Sequence, residues 1–338
     1  MKETLLNEIC ELIVDCPHST AYDEGKGYPL VRTPNIGRGR LIYDGMHRVC
    51  EDVYNTRNAR AVPQENDLIF AREATAGNVA IIQKDEKVCL GQRTVLIRPN
   101  SKLVDPNFLA YFLLAPKQQY NLLSTANGAT VAHVNMPTIR NLKLELPELS
   151  IQKRIATILS RYDSLIENYQ KQIKLLKEAA QRLYKEWFVD LRFPGHEKVK
   201  VVDGVPEGWE RKSVGSLISL LSGYAFKSSS FDEGGKYKIV TIKNVKDGTF
   251  DGDNVSTIMS IPDKMPKHCV LNEGDILLSL TGNVGRVCLV TGTNYLLNQR
   301  VAKLRSDYPT FAYCLFRSYD MFVSINNLAN GAAQQNVS

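Results

Sequence analysis

Between Glu148 and Asp190 the chain carries no Gly or Pro, and its apolar positions fall at Ile151, Ile155, Ile158, Tyr162, Leu165, Tyr169, Ile173, Leu176, Ala180, Leu183 and Trp187. Spacings of three and four alternate, with one extra four-residue step between Tyr169 and Ile173. This is a heptad seam with a single phase shift. It predicts a coiled-coil helix over residues 148 to about 190, about 40 residues and roughly 60 Å long at 1.5 Å per residue. Phe193-Pro194-Gly195 is expected to end it. A helix of this length with a narrow apolar seam needs a partner along it, either another helix of the chain or another protein. Ile155, Ile158, Tyr162, Leu165, Tyr169, Ile173, Leu176, Leu183 and Trp187 are the expected partner-facing residues.

Elsewhere the pattern is different. Short β-like runs such as Val88-Cys89-Leu90 and Thr94-Val95-Leu96-Ile97 alternate with Gly, Pro and Asn turns. Asp105-Pro106 opens a capped helix through Leu114, with Pro in its first turn. The mixture predicts an α/β (mixed α+β) domain.

That domain occurs twice. Tyr28-Pro-Leu-Val-Arg-Thr-Pro-Asn-Ile is echoed by Tyr237-Lys-Ile-Val-Thr-Ile-Lys-Asn-Val. Glu65-Asn66-Asp67-Leu68-Ile69 returns as Glu273-Gly274-Asp275-Ile276-Leu277, Gly77-Asn78-Val79 as Gly282-Asn283-Val284, and Gln92-Arg93 as Gln299-Arg300. Asn127-Gly128-Ala129 returns as Asn330-Gly331-Ala332. The last four echoes keep their order at offsets of 208, 205, 207 and 203 residues, a register that marks two copies of one module. The expected division is 1–147 for the first module, 148–192 for the spacer helix and 193–338 for the second module.

At 338 residues the chain is long enough for two cores, and 43% apolar with 23% charged residues is the balance of a folded globular protein. No apolar run approaches a membrane span of about 20 residues. The N-terminus lacks a basic region followed by an apolar one, so a cytoplasmic location is expected. Seven cysteines are scattered without a CxxC pair, which points to reduced, mostly buried thiols. Cys10, Cys16 and His18 match no common zinc spacing. Walker A, GxGxxG, HExxH and GxSxG signatures are absent, as is the Asn/Asp-Pro-Pro-aromatic loop of an amino-methyltransferase. Asp85-Glu86-Lys87 is closer to a charged turn than to a nuclease metal site. No catalytic or metal-binding residue is assigned.

A net charge of +6 permits a polyanionic partner without requiring one. The first module carries Arg32-Thr33-Pro34-Asn35-Ile36-Gly37-Arg38-Gly39-Arg40, where glycines allow close backbone approach and arginines offer forked donors. Arg72, Gln92 and Arg93 extend this basic set, and Asn35 and Gln92 have the amide chemistry that reads adenine. The second module offers Lys243, Asn244 and Lys246 in the matching loop, and Asn283, Arg286, Gln299 and Arg300 in the echoed phrases. The residues alone leave three readings: a nucleic-acid reader, a coiled-coil adaptor with no nucleic-acid role, or an enzyme in its own right.

The order of module, helix and module resembles the specificity subunit of Type I restriction-modification systems. Leu146-Pro147-Glu148-Leu149-Ser150-Ile151-Gln152-Lys153-Arg154-Ile155 is similar to that family's Pro-x-x-x-x-Gln-x-x-Ile opening of the helix, with Ser150-Ile151 in place of the usual Glu before the Gln. Trp187-Phe188, Val205-Pro206-Glu207-Gly208-Trp209-Glu210, Gly274-Asp275-Ile276-Leu277 and Asn127-Gly128-Ala129-Thr130 match its recurring phrases. The resemblance implies two target recognition domains, each reading one half of a split site in double-stranded DNA, and a helix that spaces them and docks methyltransferase subunits. S-adenosylmethionine, ATP and Mg²⁺ would sit on those partners and on a motor-nuclease subunit, with no cofactor on this chain. It also implies a second long helix after the second module, antiparallel to the first. With none in the sequence, the expectation is a truncated or rearranged cassette.

Overall fold

The computed structural model describes residues 2–124, 133–253 and 255–329. The echoed phrases at 127–129 and 330–332 lie outside the described residues. The chain divides into two compact units, Met1–Tyr169 and Gln170–Ser338.

In unit 1 an antiparallel sheet is ordered Cys10–Asp15, Thr94–Pro99, Leu68–Ala71, Val79–Ile81. Its second strand contains Thr94-Val95-Leu96-Ile97, where a strand is expected. Both faces of this sheet are covered, which explains strands that are apolar throughout. Leu68 and Phe70 point into one core, together with Leu109 and Leu113 of the helix Pro106–Leu114 and Ala156 of the long helix. Ile69 and Ala71 point into a second core, with Val31, Ile36 and Leu90. The second core is closed by a small sheet of His47–Val49, Tyr28–Val31 and Cys89–Leu90. Asp105 caps its helix by accepting from the Phe108 N–H at 2.9 Å.

Unit 2 repeats this plan. Its main sheet runs Ser219–Ser222, Val301–Arg305, Ile276–Ser279, Val287–Leu289. Ile276 and Leu278 face a core that includes Phe316 of the helix Pro309–Phe316 and Tyr184 of the long helix. Leu277 faces the other core, beside a sheet built around Tyr237–Val240 and Tyr295–Leu297.

The structure also explains the Glu-x-Asp echo. Asn66 and Gly274 sit at positive φ (70° and 84°), a conformation that favours Gly and Asn. The following aspartates then accept from the backbone three residues earlier, Asp67 from Gln64 N (2.9 Å) and Asp275 from Asn272 N (2.8 Å). Each also pairs with a base on the neighbouring strand at 2.7 Å, Asp67 with Arg98 and Asp275 with Lys303.

The long helix spans Leu149–Tyr184 and continues as a single π-helical turn, Lys185–Val189. It stops before Phe193-Pro194-Gly195, because Leu191 turns the backbone to φ 57°. The helix is not a free linker. Residues up to Tyr169 belong to unit 1 and those from Gln170 to unit 2. Among the described residues no helix is long and apolar enough to cross a membrane.

Candidate nucleic-acid interface

The basic loop of unit 1 follows the strand Tyr28–Val31 through a short 3-10 turn, Thr33–Asn35. Asn35 is 2% exposed. Its Oδ1 accepts from the Arg32 N–H at 3.2 Å, and its Nδ2 donates to the Ile42 carbonyl at 3.1 Å. In unit 2 Asn244 repeats the arrangement. Oδ1 accepts from Thr241 N at 2.8 Å, and Nδ2 donates to Asp251 O at 2.8 Å. The partners stand three residues before and seven after the asparagine in both loops. These two amides, both expected among the DNA-binding residues, are committed to the shape of their own loops.

Arg38, which stays exposed, and the half-buried Arg40 also have partners within the unit. Arg38 Nη2 donates to the Leu114 carbonyl at 3.0 Å, at the C-terminal end of its helix, where a cation is favoured. Arg40 Nε pairs with Glu167 of the long helix at 2.7 Å, and a Cβ on Gly39 would lie 3.8 Å from Asp163. The segment Arg38–Arg40 therefore faces helices of its own unit, and the reason is acid on the helix that the loop sequence does not reveal. Unit 2 makes the same junction with the polarity reversed. Arg317, at the end of the corresponding helix, donates to Asp247 at 3.2 Å, and Lys177 of the long helix donates to Gly248 O at 2.8 Å.

Four other predicted residues of unit 1 do converge. Arg32, Thr33, Gln92 and Arg93 line a cleft of about 300 Å³ together with Arg57. The Arg57 guanidinium is anchored by Leu90 O at 2.7 Å and Ser19 O at 3.0 Å. Arg93 adopts φ 64° and pairs with Glu73 at 2.6 Å. Glu73 also holds His133 at 2.7 Å, and His133 Nε2 lies 3.0 Å from Arg72 Nη2. Arg72 is 9% exposed, with Nη1 on Asp15 at 2.7 Å and Nε on Val134 O at 3.0 Å. Arg72 is thus an internal fastener, and the chain from Asp15 to Glu73 ends at the exposed Arg93. Sequence reasoning passed over Asp15, Glu73 and His133, whose partners are distant along the chain.

In unit 2 Lys243, Lys246, Asn283, Gln299 and Arg300 are exposed and Arg286 is half-buried. Lys246 pairs with Asp251 at 2.8 Å. The backbone around Arg93 and Arg300 is equivalent: each carbonyl accepts an N–H from the neighbouring strand end, Arg72 N at 2.9 Å and Leu280 N at 3.1 Å.

On the long helix, Ile158, Tyr162, Leu165, Tyr169, Ile173, Leu176 and Leu183 are exposed, apolar positions without cover among the described residues. Ile155 differs, because it packs against the unit 1 core, and Trp187 is half-buried. The phrase opening the helix has a structural purpose. Gln152, 2% exposed, donates to Pro147 O at 2.9 Å and accepts from Asp105 N at 3.0 Å, tying the helix start to the capped helix. Among the described residues no cluster of three or more His, Cys, Asp or Glu is arranged to hold a metal.

Both units thus present one loop clamp, one helix junction and one polar edge on a single plan. The family model for the Type I restriction modification DNA specificity domain matches residues 1–178 and 206–338, one stretch for each unit. The chain belongs to this family.

Within the specificity-domain family, the chain is similar to the Type I restriction enzyme MjaVIII specificity subunit of Methanocaldococcus jannaschii. The two are 32% identical over 227 residues, 66% of this chain and 52% of the relative. It is 26% identical over 308 residues to the MjaIX specificity subunit of the same organism, covering 87% of this chain and 70% of the relative. The chain spans 52% of the MjaVIII subunit and 56% of the MjaX subunit, about half the length of each. A crystal structure of a Type I restriction-modification S subunit from M. genitalium shares the fold, with a TM-score of 0.51 at 15% identity, covering 96% of this chain and 78% of that one.

Proposed function

We propose that this chain is a non-catalytic DNA-specificity subunit of a Type I restriction-modification complex. Each unit reads one half of a split site in double-stranded DNA, and the long helix docks methyltransferase subunits. Those subunits hold S-adenosylmethionine and modify adenine, while a motor-nuclease subunit brings ATP and Mg²⁺. The reading rests on one observation above all: the family match falls on both units, and both carry the same loop and sheet plan with different residues at the exposed edge. Two readers of one architecture and unlike surface suit a site whose halves differ in sequence. Phosphate contacts would supply affinity and base-edge contacts specificity. The uncovered apolar positions from Ile158 to Leu183 support the docking role.

The test is genome-wide mapping of methylated adenines in cells that express this chain with its methyltransferase partner. A split motif that disappears on deletion of the chain is the expected result. Methylation that is unchanged by the deletion would sink the reading.

A further inference from the structure

In unit 1, Gly91 and Arg32 are fitted to each other. A Cβ at residue 91 would stand 2.9 Å from Arg32 Cγ and 2.7 Å from the Val31 carbonyl, so glycine is what leaves room for the arginine stem. The two strands are locked beside it by Gly91 N donating to Val31 O at 2.7 Å. Unit 2 has the matching bond, Asn298 N to Val240 O at 3.1 Å, but carries Thr241 and Asn298 at these places. A long side chain facing glycine has become a short side chain facing a larger one.

The exchange falls on the cleft described above. Arg32, Arg57 and Arg93 bring three guanidiniums to its walls, with Thr20, Thr33 and Gln92. None of its described lining residues is acidic or aromatic. The cleft therefore offers a base no aromatic platform to stack on. Arg32 also keeps a buried Nε–H without a hydrogen-bond partner, although its Nη2 reaches Gly45 O at 3.3 Å. A buried donor on a charged group is costly to leave unpaired, and an anionic oxygen is its natural acceptor. Arg93 is held at the rim by Glu73, which fixes its direction without covering it, since its side chain remains 62% exposed.

We infer that this cleft is a subsite for one backbone phosphate of DNA, held by Arg32 and Arg93, and that the place of Arg32 in unit 2 lacks the equivalent group. This rests on the proposed DNA-reading function and adds an asymmetry to it. The two units grip the backbone unequally, apart from any difference in the bases they read.

Binding of a fluorescent duplex by the full chain in complex with its methyltransferase subunit, titrated at rising NaCl, tests this. Arg32→Thr, which imports the unit 2 residue, and Arg93→Ala should each reduce the slope of log K against log salt by about 1, on duplexes of any sequence. Arg32→Lys should keep the slope, and the methylated motif should stay the same. A slope unchanged by both Arg32→Thr and Arg93→Ala overturns the subsite. So does an altered methylation motif at constant slope, which would mark a base contact instead. Wild-type complex with no salt-dependent duplex affinity would instead bring down the DNA-reading function itself. Thermal melts confirm folding, and Arg93→Ala, an exposed position, preserves the test should Arg32→Thr unfold.

Discussion

Asn35 donates its side-chain amide to the carbonyl of Ile42 at 3.1 Å, and Asn244 does the same to Asp251 at 2.8 Å. The pair closes a loop of the same size in both units, so the asparagine kept by the repeat serves shape. Asn35→Ala leaves a buried N–H and a carbonyl unpaired and should cost about 1–3 kcal/mol. Urea unfolding followed by circular dichroism measures it. The methylated motif should remain as in the wild type; a changed half-site would show that Asn35 reads bases after all.

The ion pair behind the Glu-x-Asp echo predicts unequal losses. Asp67 is 2% exposed in its side chain and Arg98 19%, whereas Asp275 and Lys303 are 16% exposed each. Asp67→Ala strands a guanidinium beside the core and should cost about 3–5 kcal/mol. Asp275→Ala breaks a single contact to Lys303, where Asp67 holds Arg98 through two bonds at 2.8 and 2.7 Å, and should cost less, about 1–3 kcal/mol. Equal losses in denaturant midpoint would contradict this order.

Docking on the long helix can be separated from folding. Ile158, Leu165 and Leu176 are exposed, so Asp at these places should shift stability by no more than about 0.5 kcal/mol each. Co-purification with the methyltransferase subunit should be lost in the triple variant. Retained co-purification would mean that the partner docks elsewhere.

Alkaline pH should weaken the fold through its thiols. Burial pushes Cys89 up to about 11 and Cys288 up to about 12, from 9.0. Above pH 9 these thiols ionise in the unfolded chain but stay protonated in the folded one, so the folded state binds more protons and stability falls as pH rises. Each contributes a loss of about 1.4 kcal/mol per pH unit until its folded value is reached. Cys288→Ala should flatten the profile between pH 9 and 12. The exposed Cys50 should be the thiol that alkylates first in the native protein.

Much of the plan was legible along the chain because its signals are local. The seam from Ile151 to Trp187 and the Asp105-Pro106 cap depend on neighbours three or four residues away, and both helices form there. The candidate interface was legible only in part. Arg32, Gln92 and Arg93 share a cleft, but Arg38, Arg40 and Arg72 have carbonyl or carboxylate partners that no sequence window contains. Arginine in a glycine-rich loop looks the same on paper whether it meets a phosphate or a glutamate.

The sequence by itself determined that there are two copies of one α/β module and one long helix between them. Periodicity, turn residues and repeat register are carried by residues close in the chain, and they need no tertiary contact to be read. Only the tertiary structure decided which charges remain available. Arg40 and Glu167 stand 127 residues apart and Arg72 and Asp15 57 apart, yet each pair sits within 3 Å. Sheet register and helix docking bring them together, and an opposite charge at that distance claims a guanidinium that the sequence had left open to DNA.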